Sequence, residues 1–169
     1  MPTLPISAIA LRDHLAYTVW ASNRLLAEAA TLSPEELTRD FKTSDRSVIG
    51  TLAHIFAADR VWIGRIRQSP PAVFITDSDR DLFALQEQWP GIHAAWLQWA
   101  TELTNDSACS NFTYKDLKGN SWTHPVWQVV LHVVNHGTHH RGQVSGFLRA
   151  LGHTPPPLDL VAYYRSKLK

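Results

Sequence analysis

Apolar residues recur at helical spacing over most of the chain and alternate at strand spacing over one short stretch. Ile6, Ile9, Tyr17, Trp20, Leu25 and Ala29 interleave with Arg12, Asp13, Asn23 and Arg24, which predicts an amphipathic helix over Pro5–Ala30. Ser33-Pro34-Glu35-Glu36-Leu37 has the residues of a short capped turn, with Ser as N-cap and Pro at the first helical position. Ser47 is the expected N-cap of a second long helix over Val48–Gln68, with Val48, Leu52, Ile55, Trp62 and Ile66 on one stripe. A third is expected from Asp79 towards Asn105, kinked or restarted at Pro90-Gly91.

The β-like stretch is Asn111–Thr123, where Phe112-Thr113-Tyr114 and Ser121-Trp122-Thr123 flank a tight turn at Lys118-Gly119-Asn120. Pro125 suits the first turn of a fourth long helix that reaches Ala150 and stops at Gly152. After Pro155-Pro156-Pro157, a last short helix within Leu158–Lys169 is expected to dock through Leu160, Val161 and Tyr164. The whole reads as all-α: one domain over residues 1–169, a four-helix up-down bundle with a short β-ribbon before the last long helix. Such bundles hold ligands and metals between facing helices.

Composition narrows the function classes. Sixteen basic and 15 acidic residues, without a Lys/Arg run, give no reason to expect a nucleic-acid partner. A single Cys excludes an intrachain disulfide framework and a thiolate cluster; Cys109 reads as a free thiol in a polar loop. Met1–His14 lacks the basic start and apolar run of a signal peptide. No stretch has the apolar length of a membrane span, so no membrane is expected and the default location is cytoplasmic. What stands out is nine His and seven Trp, with His132, His136, His139 and His140 close together.

Helical rotation sorts that cluster. With His136 at zero, the 3.6-residue period puts Val129 and Phe147 at about +20°, Val133 and Leu151 at about +60°, and Val126 and Val144 at about +80°. His140, at about +40°, lies inside this apolar face and His136 at its edge. His132 and His139 fall on the polar side, at about −40° and about −60°. Two imidazoles at i, i+4 share one face and can chelate one ion. His132 cannot complete a trio with both, since i and i+8 stand about 12 Å apart along the axis. His54 is the better third candidate, because Ala57, Ala58 and Val61 beside it allow a neighbouring helix to approach. His14, His93, His124 and His153 read as surface or capping residues. Three neutral His suit Zn²⁺, Ni²⁺ or Fe²⁺ and leave coordination positions open. Gln143, at about −20°, is placed to touch the pocket or support a ligand. Trp20 and Trp62 are candidate pocket walls, with plain core packing as the commoner role of aromatics at helical spacing, and Arg141 is expected to pair with an acidic residue such as Asp59.

The string His136-Gly137-Thr138-His139-His140-Arg141-Gly142-Gln143 resembles the H-x-x-x-H-R-G-Q signature of the DinB/YfiT-like four-helix metalloproteins. His54 to Trp62 is similar to that family's second-helix motif. Tyr17 to Leu26 and the Gly152–Pro156 stretch, with Asp159 and Tyr163, are similar to its first helix and its tail. The resemblance implies metal ligands His54, His136 and His140, a bundle with a crossover and a homodimer. It also implies kinship with metal-dependent transferases and isomerases that use a low-molecular-weight thiol of the bacillithiol, mycothiol or glutathione type. The chain ends after the bundle, without the further C-terminal domain of the mycothiol-dependent isomerases, which points away from that reaction. The expected function is a metal-dependent transferase activating such a thiol, or water, for attack on a small-molecule electrophile. The competing reading is a non-catalytic, metal-binding stress-response protein.

Overall fold

The computed structural model describes residues 6–168. Pro5 and Lys169, the expected outer ends of the first and last helices, lie outside the described residues. Ser7 caps α1 (Ala8–Ala29) by accepting the Ala10 N–H, and Ser33 caps α2 (Pro34–Thr38) in a reciprocal box with Glu36. Ser47 caps α3 (Val48–Ile66). The third long helix, α4 (Leu82–Glu102), starts on Asp81 after a single 3₁₀ turn at Asp77–Arg80, where the sequence suggested Asp79. α5 (Asn105–Cys109) turns a segment expected to be loop into one short helix that ends on the exposed Cys109. Strands β1 (Asn111–Lys115) and β2 (Ser121–Pro125) pair antiparallel with Tyr114 opposite Trp122, and α6 (Val126–Ala150) follows directly.

Three expectations need correcting. α4 continues through Pro90, so of the kink or restart expected there the restart does not occur. Pro90 removes the donor for the Gln86 carbonyl, but both residues are exposed, so that carbonyl reaches water. The short helix α7 (Leu160–Ser166) docks through the buried Tyr163 and, as expected, Leu160, which packs on the same core, while Val161 and Tyr164 are exposed. Tyr163 lies edge-on to Tyr17, whose hydroxyl donates to the Leu158 carbonyl at 2.9 Å. His93, read as surface or capping, is buried beside Trp89. The other three behave as outer residues: His14 bonds the Ala10 carbonyl, His124 pairs with Gln128, and His153 with Glu36.

The four long helices run up, down, down, up. One apolar cluster gathers the first half of α1, the end of α3, the second half of α4 and the start of α6: Leu11, Leu15, Ile63, Trp96 and Val130 are among its members. A second gathers the opposite ends, with Leu25, Leu52, Phe56, Leu85, Trp89 and Leu148. α3 and α4 are therefore parallel, and the chain between them must return along the bundle. This is the crossover: residues 67–81 run back beside α3. Arg60 pins them there, reaching both Asp79 carboxylate oxygens at 2.9 and 2.8 Å and the Phe74 carbonyl at 3.0 Å. Among the described residues no helix is long and apolar enough to cross a membrane.

A polar layer crosses the waist between the two clusters. Arg141 is fully buried, donating to Ser22 Oγ at 3.3 Å and Thr138 Oγ1 at 3.0 Å with its guanidinium over the Tyr17 ring. Gly137 makes room for it, since a Cβ there would stand 2.7 Å from Arg141 Nη1. Asp59 shares the layer and feels the Arg141 charge, but no hydrogen bond or ion pair joins them among the described residues. Instead Asp59 accepts from Trp89 Nε1 at 3.0 Å, its backbone carbonyl accepts from Trp96 Nε1 at 3.0 Å, and His93 Nε2 stands 3.9 Å away.

Burial pushes the Asp59 carboxyl up to about 6, against the Trp89 hydrogen bond and the Arg141 charge. Burial, then the Arg141 charge, pushes His93 down to about 4. Between about pH 4 and 6 the folded chain thus holds a proton on Asp59 that the unfolded chain has lost, so this group costs stability as pH rises. Over about pH 4 to 6.5, His93 is neutral when folded and protonated when unfolded, so it adds stability as pH rises. The two slopes oppose. Relative to wild type, Asp59→Asn should gain stability with rising pH over that window and His93→Leu should lose it. Urea unfolding midpoints at several pH values check both signs.

Candidate metal centre

The histidine trio forms where α3 and α6 lie antiparallel. Ala57, Ala58 and Val61 are buried along this seam, which supports the small-residue reading of α3. The side chains of His54, His136 and His140 converge, each offering one ring nitrogen within 4.8 Å of the others, an arrangement that could hold a metal ion. His54 Nε2 and His136 Nε2 are 3.1 Å apart. Two nitrogens bound at about 2.0–2.1 Å to one tetrahedral ion would stand roughly 3.3 Å apart, so the donor spacing fits.

The outer faces of the rings are held as well. His140 Nδ1 lies 2.7 Å from Gln143 Oε1, an oxygen that only accepts, so Nδ1 carries the proton and Nε2 the lone pair. His54 Nδ1 faces Asp45 Oδ1 at 3.4 Å, and a carboxylate there favours the same tautomer. The second Asp45 oxygen stands 3.7 Å from His140 Nδ1, so one carboxylate faces two of the three rings. Burial lowers the His54 pKa against the pull of Asp45. Burial, then the neighbouring histidines, lowers His136 to about 3. Neutral imidazoles at neutral pH are what ligation needs.

Gln143 therefore sits where its helical angle put it. Asp45 had no such signal. It lies in a loop whose path requires positive φ at Lys42 (60°) and Arg46 (65°), residues that do not advertise the left-handed conformation as Gly or Asn would. The clue was Gly50, a glycine in the first turn of α3. A Cβ there would meet the Asp45 carbonyl oxygen at 2.1 Å, so the loop lies directly on the bare backbone.

The remaining candidates separate. Trp20 stands with Tyr17 of its own helix and Tyr163 of the tail, at 6.2 and 5.6 Å between ring centroids, and Arg24 lies over it, so its aromatic contacts are away from the trio. Trp62 lies along the seam from the trio, edge-on to His132 at 5.2 Å and to Tyr114 of the ribbon at 4.8 Å. With His124, Gln128 and Val129 these residues line a cavity of about 260 Å³. His132 is also 5.8 Å from His136, while His139 is exposed beside His140. A larger cavity of about 1060 Å³, between α1, the outer face of α6 and Pro155–Leu160, is lined by none of the trio.

The DinB family model matches residues 8–168. The chain belongs to the DinB family. It is similar to Protein DinB of Bacillus subtilis (strain 168), at 24% identity over 162 residues covering 87% of this chain and 89% of that protein. The crystal structure of a DinB-like protein from Bacillus cereus ATCC 10987 superposes with a TM-score of 0.63 at 17% identity, covering 85% of this chain and 94% of that one, and so shares the fold.

Gly50→Ala tests how the Asp45 loop is seated. The added methyl must displace loop backbone rather than a flexible side chain, so unfolding free energy should fall by about 1–3 kcal/mol. A variant as stable as wild type in urea would show that the loop yields freely.

Proposed function

We propose that this DinB-family chain is a metal-dependent transferase. A divalent ion held by His54, His136 and His140 would activate a low-molecular-weight thiol, or water, towards a small electrophile. The observation that carries the reading is the convergence of three imidazoles, two of them held by Asp45 and Gln143, with no fourth His, Cys, Asp or Glu in the group among the described residues. Three neutral nitrogen donors suit Zn²⁺, Ni²⁺ or Fe²⁺ and leave room for an exogenous ligand. When bound, such an ion supplies Lewis acidity that lowers the pKa of a thiol or a water.

The chain's own residues supply orientation. Asp45 and Gln143 set the planes and tautomers of His54 and His140, and His140 is itself buried. Asp45, the carboxylate beside the trio, lies 3.4 Å from His54 Nδ1 and 3.7 Å from His140 Nδ1, on the outer side of the rings. A hydrolytic route would call on a general base to take a proton from water, and a thiol transfer has less need of one, which favours the thiol. A homodimer and a cytoplasmic location belong to the same reading, carried over from the family resemblance and the chain's composition. A solution mass of twice 19.0 kDa tests the first.

Chain purified without an affinity tag should carry close to one metal ion by elemental analysis. His54→Ala, His136→Ala and His140→Ala should each abolish binding, while His132→Ala and His139→Ala retain it. Asp45→Ala should weaken affinity about 10–100-fold with the ligands intact. Thiol-dependent turnover of a panel of electrophiles tests the transferase. If no thiol supports turnover or perturbs the spectrum of the nickel-loaded protein, that activity is wrong.

A further inference from the structure

The cavity beside Trp62 joins the histidine seam to the β-ribbon, and its chemistry is distinctive. Trp62 of α3 and Tyr114 of β1 meet edge-on at 4.8 Å and supply two aromatic faces, with buried Val129 of α6 at the base and the exposed His132 at the side. The Arg65 guanidinium rests over both rings, 4.5 Å from the Trp62 centroid and 5.2 Å from that of Tyr114. Among the described residues no carboxylate lies within ion-pair distance of Arg65. Asp116, the acidic residue of the adjoining turn, is taken up by Lys118 N–H, Asn120 and Trp122 Nε1. His132 is likewise without a hydrogen-bond partner among the described residues, whereas the other polar wall residues, His124 and Gln128, bond each other at 3.2 Å.

Arg65, at the rim over the two rings and under the influence of the Asp116 charge, and His132, on the wall, thus stand beside two aromatic faces. A guanidinium already stacked on both rings repels a cationic guest and attracts an anionic one. The size limits the guest. An apolar cavity of about 150 Å³ accepts benzene and drug-sized pockets start at roughly 300 Å³, so about 260 Å³ suits one ring with a small substituent. The nearest trio ring, His136, is 5.8 Å from the His132 wall, so a group on the inner edge of the guest approaches the candidate metal centre.

We propose that this pocket binds a single-ring aromatic carboxylate, its ring against Trp62 and Tyr114 and its carboxylate at Arg65 and His132. In its role this rests on the transferase reading, for which it names the substrate class; as a binding site it stands alone.

The test uses metal-free protein, so that a carboxylate cannot report on the ion. Calorimetric titration compares benzoate, cyclohexanecarboxylate (which lacks the flat ring) and benzyl alcohol (which lacks the charge). Benzoate should bind at least about tenfold more tightly than either. Arg65→Met should remove that advantage over benzyl alcohol, and Arg65→Lys should restore part of it, with circular dichroism confirming that each variant is folded. Benzoate binding no tighter than benzyl alcohol, or unchanged in folded Arg65→Met, overturns the pocket. Elemental analysis of the protein as purified, before the metal is stripped, separates the two readings. One metal per chain without benzoate selectivity sinks the pocket and leaves the metal centre standing, and selectivity in a chain that takes up no metal does the reverse.

Discussion

A guanidinium buried at the waist of the bundle constrains everything around it. Arg141 is almost wholly out of water: its Nη donors are met by Ser22 and Thr138, its face by Tyr17, its Nε has no partner among the described residues, and Asp59 supplies an opposing charge within the same layer. Those demands fix the rotation of α6 about its axis. With Arg141 turned towards α1, the helical period aims His136 and His140 at α3, where His54 waits. Losing Ser22 or Thr138 would leave a further guanidinium donor unmet in the core, so the register of α6 is costly to slip. The histidine seam therefore inherits its precision from an anchor one residue away in sequence and on another side of the helix.

The crossover has a complementary effect. Because α3 and α4 run parallel, the chain between them must return along the bundle, and the returning segment 67–81 is pinned along α3 by Arg60. Phe74 on that segment lies edge-on to His54 at 5.4 Å, so the connection also covers one side of the trio. At the other end of the seam the ribbon does the same for Trp62. The candidate centre and its neighbouring cavity are thus bounded by two connections as well as two helices.

Much of this was legible in the residues, because it depended on periodicity. The 3.6-residue rotation separated His136 and His140 from His132 and His139, and the small residues beside His54 named the facing helix. Capping chemistry located Ser33 and Ser47 as helix starts. What escaped depended on tertiary placement. His93 looked polar and hence external, yet i, i+4 spacing from Trp89 carries it into the core. Pro90 looked like a break, yet it faces water, where an orphaned carbonyl costs little. Val161 and Tyr164 shared the apolar character of Tyr163, and only the packing against Tyr17 decided which one turned inward. Asp45 escaped because left-handed Lys42 and Arg46 leave no mark in a sequence.

The loop carrying Asp45 also ends in the cap of α3, with Ser47 accepting the Gly50 N–H at 3.1 Å while the Asp45 carbonyl lies over Gly50 itself. One short stretch thus starts a helix and sets the electrostatics of the rings that helix presents. Evolution can therefore retune the centre without touching a ligand. A drift in loop length or in the residue at position 50 moves the carboxylate relative to His54 and His140, trading helix-start stability against the basicity of the imidazoles. Divergence in chemistry among chains with the same three histidines would then be written in residues 40–50 rather than in the signature itself.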